Sequence, residues 1–238
     1  MNMAAGALFS RLRGVLLFAA LLSVGLGRSL LGGALGLAHG QAPASPAPAP
    51  AAPAPDYRAE LGARLGAQIE ALSATDPEAA GTLGARIEDR VGPLAEARYA
   101  TGLAFNRARD RDTALVWYDR CLALAPLHRG ALYDRAELRL LGGDTEGARA
   151  DLGLLLAHPP VHWSTQLRVA QLAAMDGDPL AFERAMVGAL AAGFELRTLA
   201  LDPAWRAWLD DPALGPILHR LIAVYGSEGL LDELRSQP

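Results

Sequence analysis

Apolar side chains in the central part of the chain recur with a period of 34 residues. The positions that share this spacing are Leu122, Leu156 and Leu190; Tyr118, Leu152 and Met186; Ala114 and Ala148; Pro126 and Pro160; and Asp110, Asp144 and Asp178. A period of this length is typical of two short helices joined by a turn. The pattern therefore predicts stacked helix–turn–helix units, since no such unit can bury its apolar face alone.

The residue types at the recurring positions fit this arrangement. Gly102 and Ala136 are small and would let the two helices of a unit lie close together, while Tyr118 and Leu152 would fill the space between units. Asp caps at helix starts and Pro stops at unit ends are expected at four positions: Asp144, Asp178, Pro126 and Pro160.

These units resemble tetratricopeptide (TPR) repeats. The matching residues are Gly102, Phe105, Ala114, Tyr118, Cys121 and Pro126 in residues 95–128; Ala136, Gly143, Asp144, Ala148, Leu152, Leu155 and Pro160 in 129–162; and Ala170, Ala173, Gly177, Asp178, Met186 and Ala189 in 163–196. Arg98, Phe182 and Phe194 depart from the family pattern, which has a large residue, Ala and Pro at these places. The resemblance implies an all-α fold, an α-solenoid of three TPR-like repeats over residues 94–195.

In the TPR family the first helix of each unit lines a concave face that binds a protein or peptide partner. The corresponding positions here are Tyr99, Leu103, Asn106 and Arg107; Tyr133, Glu137, Leu140 and Leu141; and Leu167, Gln171 and Met175. The candidate partner-binding groove comprises Tyr99, Leu103, Asn106, Arg107, Tyr133, Glu137 and Leu141. An alternative is that flanking helices cover some of these residues.

Helical segments are also predicted on both sides of the repeats. Asp56 is expected to cap a helix from Tyr57 to about Ser73, and Asp76-Pro77 to start a second helix that reaches about Val91. Residues 56–93 then form either a capping helical pair or a degenerate fourth repeat. In residues 196–238, Asp202-Pro203 and Asp211-Pro212 predict further helix starts. The apolar residues of this segment form either a cap over the last repeat or an exposed docking patch: Trp205, Trp208, Leu214, Ile217, Leu218 and Leu221.

The N-terminal residues have the pattern of an export signal. A basic start is followed by the uncharged run 14–27, and the small residues Ala38 and Gly40 fit signal-peptidase cleavage after Gly40. The alternatives are an uncleaved inner-membrane anchor over residues 14–37 and a start codon further downstream. Residues 41–55 alternate Ala and Pro, which predicts an extended linker. The expected location is periplasmic or extracellular, with membrane contact only through an uncleaved N-terminus.

Composition narrows the class of partner. The chain has 22 basic residues against 26 acids and a net charge of −4. Residues 1–40 contribute Arg11, Arg13 and Arg28 and no acid, so the remainder is more acidic still, which argues against a nucleic-acid surface. Aromatic residues make up 6% of the chain, so Ala, Leu and Gly carry most of the apolar content and favour packed helices.

The sequence offers little for catalysis. Cys121 occupies a small-residue position and is expected to be a buried structural thiol. His158 and His162 lie four apart, but the prolines between them would break a metal-binding helix, so a turn is expected. We expect no enzyme activity, cofactor or metal, and a protein-interaction adaptor of the bacterial cell envelope. A structural subunit of an envelope complex and an enzyme on a helical scaffold are the alternatives.

Overall fold

The computed structural model describes residues 56–201 and 203–236, and these residues form eleven α-helices and one 3-10 helix without a strand. The predicted all-α class is therefore confirmed for the described part of the chain. The predictions for the export signal, the Ala/Pro linker and the Asp202 cap fall outside it. Within the described residues, no helix combines the length and the apolar character that crossing a membrane requires.

The helices follow one another through short turns. Their bounds are α1 Tyr57–Ser73, α2 Pro77–Val91, α3 Ala95–Arg107, α4 Arg111–Leu124, α5 Arg129–Gly142, α6 Thr145–Ala157, α7 Trp163–Asp176, α8 Pro179–Ala191, the 3-10 helix Leu196–Leu201, α9 Pro203–Leu209, α10 Gly215–Tyr225 and α11 Leu230–Ser236. From α1 to α8, each helix packs against the next one along the chain, and α1 also packs along α3. The result is a series of adjacent helical pairs.

The helix starts repeat the period of the sequence. The helices α3, α5 and α7 begin 34 residues apart, at Ala95, Arg129 and Trp163. The helices α2, α4, α6 and α8 keep the same interval, beginning at Pro77, Arg111, Thr145 and Pro179. The N-terminal pair α1–α2 is thus in register with the repeats through its second helix, whereas α1, with 17 residues, is longer than the other first helices.

Local capping explains this regularity. An aspartate precedes each second helix, and its carboxylate accepts a hydrogen bond from the backbone N–H three residues later, at 2.9–3.2 Å. The four caps are Asp76, Asp110, Asp144 and Asp178. Each carboxylate satisfies a donor that the first turn leaves free and faces the positive end of the helix dipole. The predicted caps Asp144 and Asp178 are confirmed, as is Asp56 at the start of α1.

In the three pairs from α3 to α8, the turn before the second helix contains a left-handed residue. Gly143 and Gly177 provide it in the second and third units, with φ of 84° and 69°. In the first unit Arg109 takes this position with φ of 66°. A side chain is disfavoured in that conformation, so the first turn carries backbone strain that the other two avoid.

Close packing within the first unit depends on a missing side chain. A Cβ atom on Gly102 would lie only 2.6 Å from the Tyr118 ring, and Tyr118 itself is completely buried. The predicted approach of the two helices through Gly102 is therefore present. Ala136 and Leu152 are also in the core, as the repeat pattern required.

The C-terminal helices complete the core of the last pair. Leu214, Leu218 and Leu221 join α7 and α8 in one apolar cluster, to which Trp208 also belongs. These C-terminal residues therefore pack against the last helical pair, α7 and α8. The prediction that Asp211 starts a helix is wrong. Its carboxylate accepts hydrogen bonds from the backbone N–H groups of Ala213 and Leu214, but α10 begins only at Gly215. Asp211 therefore caps a turn instead of a helix.

The departures from the TPR pattern have structural reasons. Phe182 is completely buried and its ring packs edge-on against Trp208 at 5.2 Å. Phe194 packs at 5.5 Å against Trp163 at the start of α7. Both aromatic residues fill space next to the C-terminal helices. A repeat in the middle of an array has another repeat at this place.

Candidate functional site

Polar contacts join the first helices of successive pairs along one side of the molecule. We define the first-helix face as the surface formed by α1, α3, α5 and α7 that carries these contacts. Arg107 of α3 donates to the Ser73 hydroxyl of α1. The Tyr99 hydroxyl of α3 donates to Asp134 of α5 at 3.0 Å, and Arg168 of α7 donates to Glu137 of α5 at 2.7 Å.

Tyr99 is held in place by aromatic neighbours. Its ring lies 4.6 Å from the His128 ring and 6.1 Å from the Tyr118 ring, and it packs against Gly130, where a Cβ would come within 2.6 Å. Burial and the neighbouring Asp134 raise the pKa of the Tyr99 phenol well above its usual value. The hydroxyl therefore stays protonated and remains a hydrogen-bond donor.

Asp134 is the most perturbed carboxylate of this face. Burial and the nearby Glu137 raise its pKa, the Tyr99 hydrogen bond, Arg107 and Arg168 partly oppose them, and the resulting pKa is about 7. The carboxylate accepts from the neutral Tyr99 hydroxyl, whereas Arg107 and Arg168 donate to Ser73 and Glu137. Perturbed groups of this kind concentrate at functional sites.

Arg168 links α7 to α5. Its guanidinium pairs with Glu137, donates to the Gln171 side chain at 3.1 Å and lies 6.0 Å from the centre of the Tyr133 ring. Burial raises the pKa of the Tyr133 phenol. The Arg168 and Glu137 side chains are 14% and 16% exposed, so the pair is shielded from water and fixes α7 against α5.

The structure brings most of the predicted groove residues to the first-helix face. Tyr99, Arg107, Tyr133 and Glu137 take part in the polar contacts across it. The remaining predicted residues there are partly exposed: Leu103, Asn106, Leu141, Leu167, Gln171 and Met175. The prediction that Leu140 lines the groove is wrong, because Leu140 is buried in the core beneath α5 and cannot contact a partner.

Sequence reasoning missed two central residues, Asp134 and Arg168. They occupy equivalent positions in the second and third units, 34 residues apart, and each follows directly after a predicted groove residue, Tyr133 or Leu167. The sequence signal that could have identified them is a charged residue at the same first-helix position of two units. Their roles depend on contacts with Tyr99 and Glu137, which the spacing alone does not reveal.

Carboxylates on the other side of the first helices are paired differently. Asp151 of α6 is 1% exposed and forms ion pairs with both Arg135 and Arg139 of α5. Arg135 also reaches Asp119 of α4. These contacts connect first helices to second helices and leave the Asp151 carboxylate with full charge compensation.

Arg98, the other departure from the repeat pattern, serves a similar role between pairs. It binds Glu88 of α2 through two nitrogens, at 2.7 and 2.8 Å, and donates to the Arg120 carbonyl of α4. The bonded guanidinium lowers the pKa of Glu88. Arg98 thus replaces the apolar contact of a large side chain with a two-sided polar bridge.

The other candidate residues have structural roles. Cys121 is completely buried, and burial raises the pKa of its thiol to about 12, so it has little thiolate character. His158 and His162 lie in the turn between α6 and α7, where His158 Nδ1 is 2.9 Å from the Leu154 carbonyl and His162 caps α7. His128 likewise caps α5. In the described residues, no group of three His, Cys, Asp or Glu side chains could hold a metal ion.

No protein-family model matches the sequence, and a search of curated proteins finds no match.

Proposed function

We propose that this chain is a non-catalytic interaction protein of the TPR type, which holds a segment of a partner protein on the first-helix face. The observation that carries the proposal is the meeting of Tyr99, Asp134 and Arg168, from three successive first helices, in one polar and partly exposed surface. The 34-residue recurrence of helix starts and the Asp caps support the TPR assignment and the solenoid arrangement.

The chemistry of this face suits recognition. Tyr99 and Tyr133 offer a large contact area and a hydroxyl group for little loss of side-chain entropy. The surrounding residues Leu103, Leu141 and Met175 add apolar area that is not fully buried. A short segment bound across a few units would bury a small interface, and we expect a dissociation constant of roughly micromolar order.

The proposed place of action is the bacterial cell envelope. The apolar run 14–27 and the small residues before Gln41 support export, and the Ala/Pro segment 41–55 would separate the helical part from the membrane or the cleavage site. In this setting the protein would serve as an adaptor or scaffold for a larger assembly.

Site-specific photocrosslinking tests which side of the molecule binds. A photoreactive phenylalanine analogue replaces Leu103 or Leu141 on the first-helix face in the full chain, expressed in its own cells. The matched controls carry the same analogue at Val116 or Leu180, which are 48% and 71% exposed on the second helices α4 and α8. We expect an adduct of defined mass from the first-helix positions and none from the controls.

Two results would contradict the proposal. One is an equal adduct pattern at all four positions, which would mean that the face is not selective. The other is the absence of any adduct at Leu103 and Leu141 while a control position crosslinks efficiently, which would place the interaction on the second helices.

A further inference from the structure

We draw no further inference here: the strongest candidate, the side-chain cluster at the N-terminus of α7 in which His162 Nδ1 lies 2.8 Å from the Ser164 hydroxyl, is a helix start whose polar groups bond one another, and nothing else in the described residues points to a ligand there.

Discussion

Asp134 and Asp151 are two carboxylates of the same helical pair, α5 and α6, in opposite situations. Asp151 lies on the side where first and second helices meet, is almost completely buried and pairs with Arg135 and Arg139. Asp134 lies on the first-helix face, is partly exposed and has a tyrosine hydroxyl as its bonded neighbour. One carboxylate holds the fold together, whereas the other is left incompletely paired.

The difference shows that one helical pair can hold both a fully paired carboxylate and an incompletely paired one. A buried carboxylate without an ion pair is costly, so a fold that needs only stability would pair it or replace it. The repeat architecture directs Asp151 towards the arginines of its own pair and Asp134 towards the neighbouring first helices. Three changes test this contrast: two that should lower the free energy of unfolding, given in order of decreasing effect, and one that should raise it at high pH.

Asp151→Ala should cause the largest loss. Removal of this carboxylate leaves Arg135 and Arg139 without their shared partner and opens a small cavity between α5 and α6. We expect the free energy of unfolding to fall by about 3 kcal/mol, measured by chemical denaturation at pH 7. The control Asp112→Ala, at an exposed site, should change it by less than about 0.5 kcal/mol. A loss for Asp151→Ala no larger than for the control would mean that this ion-pair network does not stabilise the fold.

Tyr99→Phe should have a smaller effect. The variant keeps the ring between His128 and Tyr118 but removes the hydroxyl that donates to Asp134. We expect a loss of about 1 kcal/mol at pH 8, with Tyr225→Phe, at an exposed position of α10, as the neutral control. A loss as large as that of Asp151→Ala would show that Asp134 is also a structural carboxylate.

The local features of the fold could be predicted from the sequence. Asp144 and Asp178 act on N–H groups three residues away, and the limits of α1 and α2 depend on the neighbouring Asp and Pro residues. Such short-range signals survive in any tertiary context. The recurrence of Tyr118 and Leu152 also predicted the core, since a fixed period places equivalent residues in equivalent surroundings.

The first-helix face was harder to predict because it depends on angles between helices. Leu140 and Leu141 are neighbours in α5, yet the first is buried and the second is partly exposed. A rotation of about 100° per residue separates their directions, and the packing of α5 determines which one faces the core. Asp134 and Arg168 were missed because their roles come from residues of other helices. The pairing of Phe182 with Trp208 likewise depends on a cap distant in sequence.

The third change, Asp134→Asn, addresses the incompletely paired carboxylate itself through the pH dependence of stability. The folded-state pKa of Asp134, about 7, lies above the value of about 3.9 for an unfolded aspartate. Its protonated form therefore supports the fold at low pH, and this support is lost as pH rises through about 7. The amide of the variant cannot ionise and retains the acceptor for Tyr99, so the variant should not lose stability for this reason.

Unfolding of the unchanged chain and of Asp134→Asn by denaturant between pH 4 and pH 8 is the decisive measurement. We predict nearly equal stability at pH 4 and a variant that is more stable at pH 8, by up to about 4 kcal/mol for a pKa raised from about 3.9 to about 7. A variant less stable than the unchanged chain at pH 8 would contradict this prediction, because Asp134 would then be a paired structural carboxylate like Asp151.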